Sequence, residues 1–368
     1  MVRRLLYLNG IAIVAVILFH STGWGFTALF AWDKVYLGAT AVPFSLKNTP
    51  SYYALRIMEQ TVMAAIPVFL FVSGYFIAFA TGRKDNIGWP LIGARVKNLI
   101  VPYVLWGALA LLMLFVQGTV WTPKQYLVSF LIGNMTPAYY YIPLLIQLYA
   151  ISPFIVPLAK KRWKLLLAIA VFVQLLIHAM QFPMLLHLDV PDWLLRLGMI
   201  PKWFFPTRFL WFTLGIVVGF NLTSFKQALY RWRWVFLGTA VLLIPLGVLE
   251  WEWILRHSGQ QWIDTRETLL DSIYSASMLL AFIAFDKMPL PQMKRVSDWG
   301  TKSFGIYLAH IPVMEVVARG IYHVAPAVLG YQILFVPIII VTGMGIPLLM
   351  MYLINLSPAR RFYTYIFG

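Results

Sequence analysis

The chain has 368 residues, 61% of them hydrophobic and only 11% charged, with a mean hydropathy of +0.78. Globular domains carry about 25% charged residues, so this composition describes an integral membrane protein and sets aside a soluble enzyme. The absence of cysteine excludes a disulfide framework, a thiol nucleophile and a Cys-ligated metal, and the net charge of +16 reads as loop charge that sets topology, not as a nucleic-acid footprint.

Runs of about 20 apolar residues, enough to cross a bilayer as a helix, fall at 5–28, 54–80, 98–118, 138–158, 164–180, 204–222, 233–253, 268–286, 303–322 and 331–355. The first follows Arg3 and Arg4 but has no small-residue cleavage site after it, so it reads as a retained span. The fifth is short, and residues 181–203 behind it, broken by Pro183, Pro191 and Pro201, read as an interfacial or re-entrant loop. The expected fold is all-α: one domain over 1–368, a polytopic bundle of about ten transmembrane helices. With the N-terminus cytoplasmic, 19 of the 29 Lys and Arg fall on that side against three acidic residues, Asp85, Asp286 and Asp298. The positive-inside rule then puts both termini in the cytoplasm.

His20 stands in the outer half of the first run. Asn9 lies eleven residues earlier, nearly whole helical turns, so the two share a face about 16 Å apart along the axis. An ionisable group inside a membrane is a functional candidate by default; the alternative is a histidine satisfied by a neighbouring helix or by water. Glu59, five residues into the second run, reaches a comparable depth and suits a general-base pairing with His20, while Arg56, three residues before it, is placed to neutralise it instead. Pro67 is expected to bend the second run, and Ser73-Gly74 to let another helix approach closely. Arg95 and Lys97 flank the third run as topology signals or as phosphate-binding cations.

Tyr139, Tyr140 and Tyr141 open the fourth run, where an interfacial aromatic belt is the default. The predicted outer loop with Trp251, Trp253, His257, Gln260, Gln261, Trp262, Asp264 and Glu267 mixes aromatic faces with amides and carboxylates, which suits a sugar or an interfacial anchor. In the ninth run Ser303, Tyr307 and His310 form a polar strip predicted to face the interior, and Glu315 with Arg319 forms an i,i+4 pair. His178, His187, His257 and His323 are expected near the outer interface in solvated roles. No His, Asp or Glu cluster has metal-site spacing.

Several of these stretches, in this order, resemble acyltransferase family three, the integral membrane acyltransferases that modify carbohydrates. The matching pieces are Leu8-Asn9-Gly10-Ile11-Ala12 through Leu18-Phe19-His20; Pro67 to Tyr75; Arg95 to Tyr103; Ile142-Pro143 through Leu148-Tyr149 to Ser152-Pro153; and Ser303 to Pro312. The resemblance implies a ten-helix core that moves an acyl group, acetyl above all, from cytoplasmic acyl-CoA to an acceptor hydroxyl on a cell-surface or lipid-linked carbohydrate. The setting it implies is a bacterial inner or plasma membrane. It makes His20 the essential residue, as general base or as acyl carrier; Glu59 is its candidate catalytic companion from the comparable depth alone. Asn9, Ser73, Arg95, Lys97 and His310 are the candidates for the acyl-CoA donor, and Tyr140, Tyr141 and Trp262 for the carbohydrate acceptor; the lipid bilayer is the third partner, and no metal or nucleic acid is implied. Two positions depart from the family pattern: Asn9 stands where an arginine is usual, and Asn98 where a second basic residue follows Arg95. The alternative functions are a non-catalytic glycan exporter or a partner in an envelope polysaccharide synthesis complex.

Overall fold

The computed structural model describes residues 2–38, 40–263 and 266–368. These residues are 80% helical, without strands. In chain order the helices are α1 (Val2–Phe30), α2 (Asp33–Leu37), α3 (Pro50–Thr61), α4 (Ala65–Thr81), α5 (Trp89–Val116), α6 (Pro123–Ile132), α7 (Tyr141–Lys161), α8 (Trp163–Leu185), α9 (Asp192–Gly198), α10 (Phe209–His257), α11 (Leu269–Ala284), α12 (Met293–Thr301), α13 (Ser303–Val324), α14 (Gln332–Leu356) and α15 (Tyr363–Phe367). Among the described residues eight helices are long and apolar enough to cross a membrane, counting α3 with α4 as one. Large apolar side chains such as Val324, Ile333 and Val120 are more than four-fifths exposed. Such surface is a liability in water and ordinary in lipid. The chain is a multi-pass membrane helix bundle.

The chain groups into two compact units. Unit 1 is Met1–Ala65 with Met293–Gly368, and unit 2 is Ile66–Gln292. In unit 1, α1 packs against α12, α14, α3 and α13, and α13 packs on α14. The α1–α12 crossing is reciprocal: a Cβ on Gly10 would overlap the Val296 carbonyl, and one on Gly300 would overlap the Leu6 carbonyl. Only glycine permits backbones this close. Unit 2 repeats the device, with Gly74 of α4 against the Phe212 carbonyl and Gly215 of α10 against the Phe71 carbonyl, so the expected close approach at Ser73-Gly74 is present.

The helices also correct the predicted boundaries. The second run is interrupted at residues 62–64, one turn before Pro67, whose missing N–H leaves the Met63 carbonyl without a helical donor. The fifth run is not short: α8 continues through Pro183 to Leu185, and α9, inside the expected loop, packs on it with Gly198 against the Met180 carbonyl. The expected loop between the sixth and seventh runs is helical, because Lys and Arg are good helix formers, so both runs lie on α10. Asn221 alone there has non-helical dihedrals, and its amide donates to Ala159 O and Val217 O at 3.1 Å each.

Helix α10 is nevertheless two arms. Arg208, just before it, pairs with Glu267, while Glu250, far along it, accepts from Thr268 Oγ1 at 2.6 Å. A straight helix would hold Arg208 and Glu250 about 63 Å apart, yet they meet adjacent residues, so α10 turns back. The eighth predicted run falls on α11, which at 16 residues is about 24 Å long.

Candidate active site

Helix α1 carries Asn9 and His20 on one continuous helix, both half-buried. Around His20 the polar neighbours turn back on their own helix: Ser21 Oγ donates to Ile17 O at 2.8 Å and Thr22 Oγ1 to Phe19 O at 2.6 Å. The His20 ring meets the Phe19 ring edge-on at 5.4 Å and the His310 ring at 5.2 Å, tilted by 51°. The Asn9 Oδ1 is buried with no hydrogen-bond partner.

His310 comes from α13. Ser303, Tyr307 and His310 are 7%, 2% and 0% exposed, so the predicted strip does face the interior. The His310 Nδ1 lies 2.6 Å from Tyr307 O. A carbonyl only accepts, so Nδ1 carries the proton, and in the neutral ring Nε2 is a bare lone pair. That Nε2 is buried and has no hydrogen-bond partner. Unit 1 therefore sets a half-buried imidazole beside a buried one whose open nitrogen can accept.

Glu59 lies in the same unit. Its carboxylate accepts from Arg56 Nη1 at 2.6 Å, and both residues are buried. The Arg56 guanidinium also lies over the Phe26 ring at 4.8 Å, and its Nε reaches Tyr52 Oη at 3.4 Å. The neutralising pairing within α3 is thus formed.

The remaining predicted residues are in unit 2. Ser73 bonds to the Tyr141 hydroxyl. Arg95 Nη2 donates to Phe76 O at 3.4 Å, its guanidinium faces the Tyr149 ring at 5.7 Å, and its Nε is buried without a partner; Lys97 is exposed. Tyr140 and Trp262 are half-buried. Tyr139 and Tyr141 are buried in the unit and do not form a surface belt. Asp264 lies outside the described residues. His187, His257 and His323 are exposed as expected, but His178 is not: it is 4% exposed and bonded to Gln174 and Ser272. Among the described residues no three His, Asp or Glu gather as metal ligands would.

The acyltransferase domain of acyltransferase family 3 matches residues 4–352, nearly the whole chain and both units. The chain belongs to acyltransferase family 3. No curated protein and no solved structure matches it. It is therefore a membrane-embedded acyltransferase. Within this family 3 chain, spacing along single helices located the buried strip on α13 but not the meeting of His310 with His20, which are 290 positions apart. Sequence reasoning also missed the His178 cluster. Its available signal was the i,i+4 pair Gln174 and His178 inside an otherwise apolar helix, since two polar groups one turn apart there need partners.

Proposed function

We propose that this family 3 acyltransferase moves an acyl group, acetyl first among candidates, from cytoplasmic acyl-CoA to a hydroxyl of a cell-surface or lipid-linked carbohydrate. The proposed setting is a bacterial inner or plasma membrane, with ten spans and both termini cytoplasmic. The lopsided distribution of Lys and Arg supports the orientation.

His20 is the general base. It takes the proton of the acceptor hydroxyl as that oxygen bonds to the thioester carbonyl carbon. It then returns the proton to the sulfur as the carbon–sulfur bond breaks. For this one imidazole nitrogen must be bare and the other held. The observation that carries the reading is the His310 ring 5.2 Å from His20, with Nδ1 tied to Tyr307 O and Nε2 left as an acceptor. A His20 N–H donating to that lone pair would fix the tautomer, the part a carboxylate plays in a catalytic triad.

Arg95 and Lys97 fit the donor's phosphates: one has an uncommitted buried N–H and the other a free-standing ammonium at the surface. Asn9 offers a neutral hydrogen bond to the donor, and the half-buried Tyr140 and Trp262 offer aromatic faces to a sugar, whereas Ser73 and the buried Tyr141 hold each other.

The test supplies membranes containing the protein with acetyl-CoA and acceptor glycan and follows release of the CoA thiol, with mass spectrometry of glycan acylation. His20→Ala should abolish both signals. Full transfer by that variant would remove His20 from the mechanism, and glycan movement without thiol release would replace transfer by export.

A further inference from the structure

Unit 1 carries a cluster of aromatic side chains that the reaction above does not use. The Trp32 ring, two residues past the end of α1, lies 5.5 Å from the Trp24 ring and 4.9 Å from that of Tyr322 on α13. All three side chains are half-buried. The same two helices also meet at His20 and His310, and Trp32 and Tyr322 each follow their histidine by twelve positions. Helices α1 and α13 therefore run parallel, with the second contact about 18 Å beyond the first. Trp24 stands between the two contacts, one turn or about 6 Å past His20 on the same face of α1.

Asp33 follows Trp32 at the head of α2 and is 3% exposed. Its Oδ1 accepts from Lys34 N at 2.8 Å, while Oδ2 is buried with no hydrogen-bond partner. Tyr36 does not answer that oxygen, because its hydroxyl donates to Ala28 O at 2.9 Å. Burial, with the Asp33 charge adding to it, pushes the Tyr36 hydroxyl up to about 12. The Tyr36 ring lies 3.0 Å from where a Cβ on Gly330 would stand, so α2 is held against the turn that follows α13. A buried carboxylate oxygen without a donor is costly. Rings that only anchor a protein in the membrane interface have no use for it, since lipid chains bring no donor.

We propose that Trp24, Trp32, Tyr322 and Asp33 bind a neutral sugar ring of the acceptor glycan and lead it toward His20. The apolar faces of the sugar lie on the aromatic rings, and its hydroxyls donate to Asp33 Oδ2. An acidic sugar is repelled by Asp33, and a bare hydrocarbon leaves Asp33 unanswered. The inference rests on the carbohydrate acceptor proposed above. These four residues position the acceptor and take no part in making or breaking bonds.

The experiment uses full-length protein in phosphatidylcholine nanodiscs and follows its unfolding temperature as cellotetraose, chitotetraose or tetragalacturonate is added. A ligand held by the folded form raises this temperature saturably. At least one of the two neutral sugars should do so, and the acidic one should not. Trp32→Ala should weaken the response about tenfold, with Trp32→Phe falling between it and the parent; Asp33→Asn should weaken it about fivefold. Should Asp33→Asn unfold early without ligand, Trp24→Leu at a half-buried position serves in its place. In membranes given acetyl-CoA and acceptor glycan, the same variants should raise KM for the glycan and leave KM for acetyl-CoA unchanged. Sugar binding that the variants weaken, without transfer by the parent, would keep the site and remove the transfer reading. Transfer by the parent with KM for the glycan unmoved in every variant would overturn the site alone. No response to either neutral sugar, an equal response to tetragalacturonate, or an undiminished response in the variants would overturn it too.

Discussion

The buried imidazoles of the two units are answered in opposite ways. His178 in unit 2 has a hydroxyl and an amide on one nitrogen and stands next to a carboxylate that collects three donors. His310 in unit 1 is held by backbone carbonyls of its own helix and has the ring of a second histidine beside it. A network in which each member holds the next is expensive to alter and specifies a fixed shape. A pair with an uncommitted nitrogen holds less and can exchange a proton. The contrast sets a network that fixes shape against a pair with a nitrogen left open, and it can be broken at either end.

The largest effect is expected from His20→Ala, which should lower transfer about 10²- to 10⁴-fold while leaving the unfolding temperature close to that of the parent, because the side chain is only half-buried. Next is Arg208→Ala. Removing one partner of a buried ion pair strands the other charge, so stability should fall by about 3–5 kcal/mol, read by thermal unfolding in detergent. Loss of activity there should track loss of fold. Gly300→Ala, which forces the α12 backbone off α1, should cost about 1–3 kcal/mol; an unchanged unfolding temperature would contradict the close crossing. The smallest and most diagnostic is His310. His310→Phe should lower kcat about tenfold with KM unchanged, and His310→Gln, whose side-chain oxygen can replace the lost lone pair, should recover part of it. Equal losses in both variants would make His310 a packing residue.

Much of this architecture is written in local pattern. The apolar runs gave the helices, since a span must satisfy its backbone within itself, and the spacing of Ser303, Tyr307 and His310 gave the buried face of α13. What stayed hidden was whatever depends on a partner far along the chain. Nothing in 163–185 says that α10 and α11 cover His178, so an interfacial role was the natural expectation there. The pairing of Arg56 with Glu59 was legible because both lie on one helix turn. The turn at Asn221 was not, because good helix formers follow it and the helix resumes at once.

The α1–α12 crossing at Gly10 and Gly300 has a consequence for how the protein is made. Its two halves are separated along the chain by all of Ile66–Gln292, synthesised between them. Throughout that interval α1, with Asn9 and His20 on one flank, must wait in or beside the insertion machinery before its mate exists. His20 would enter the bilayer well before His310, the ring that meets it.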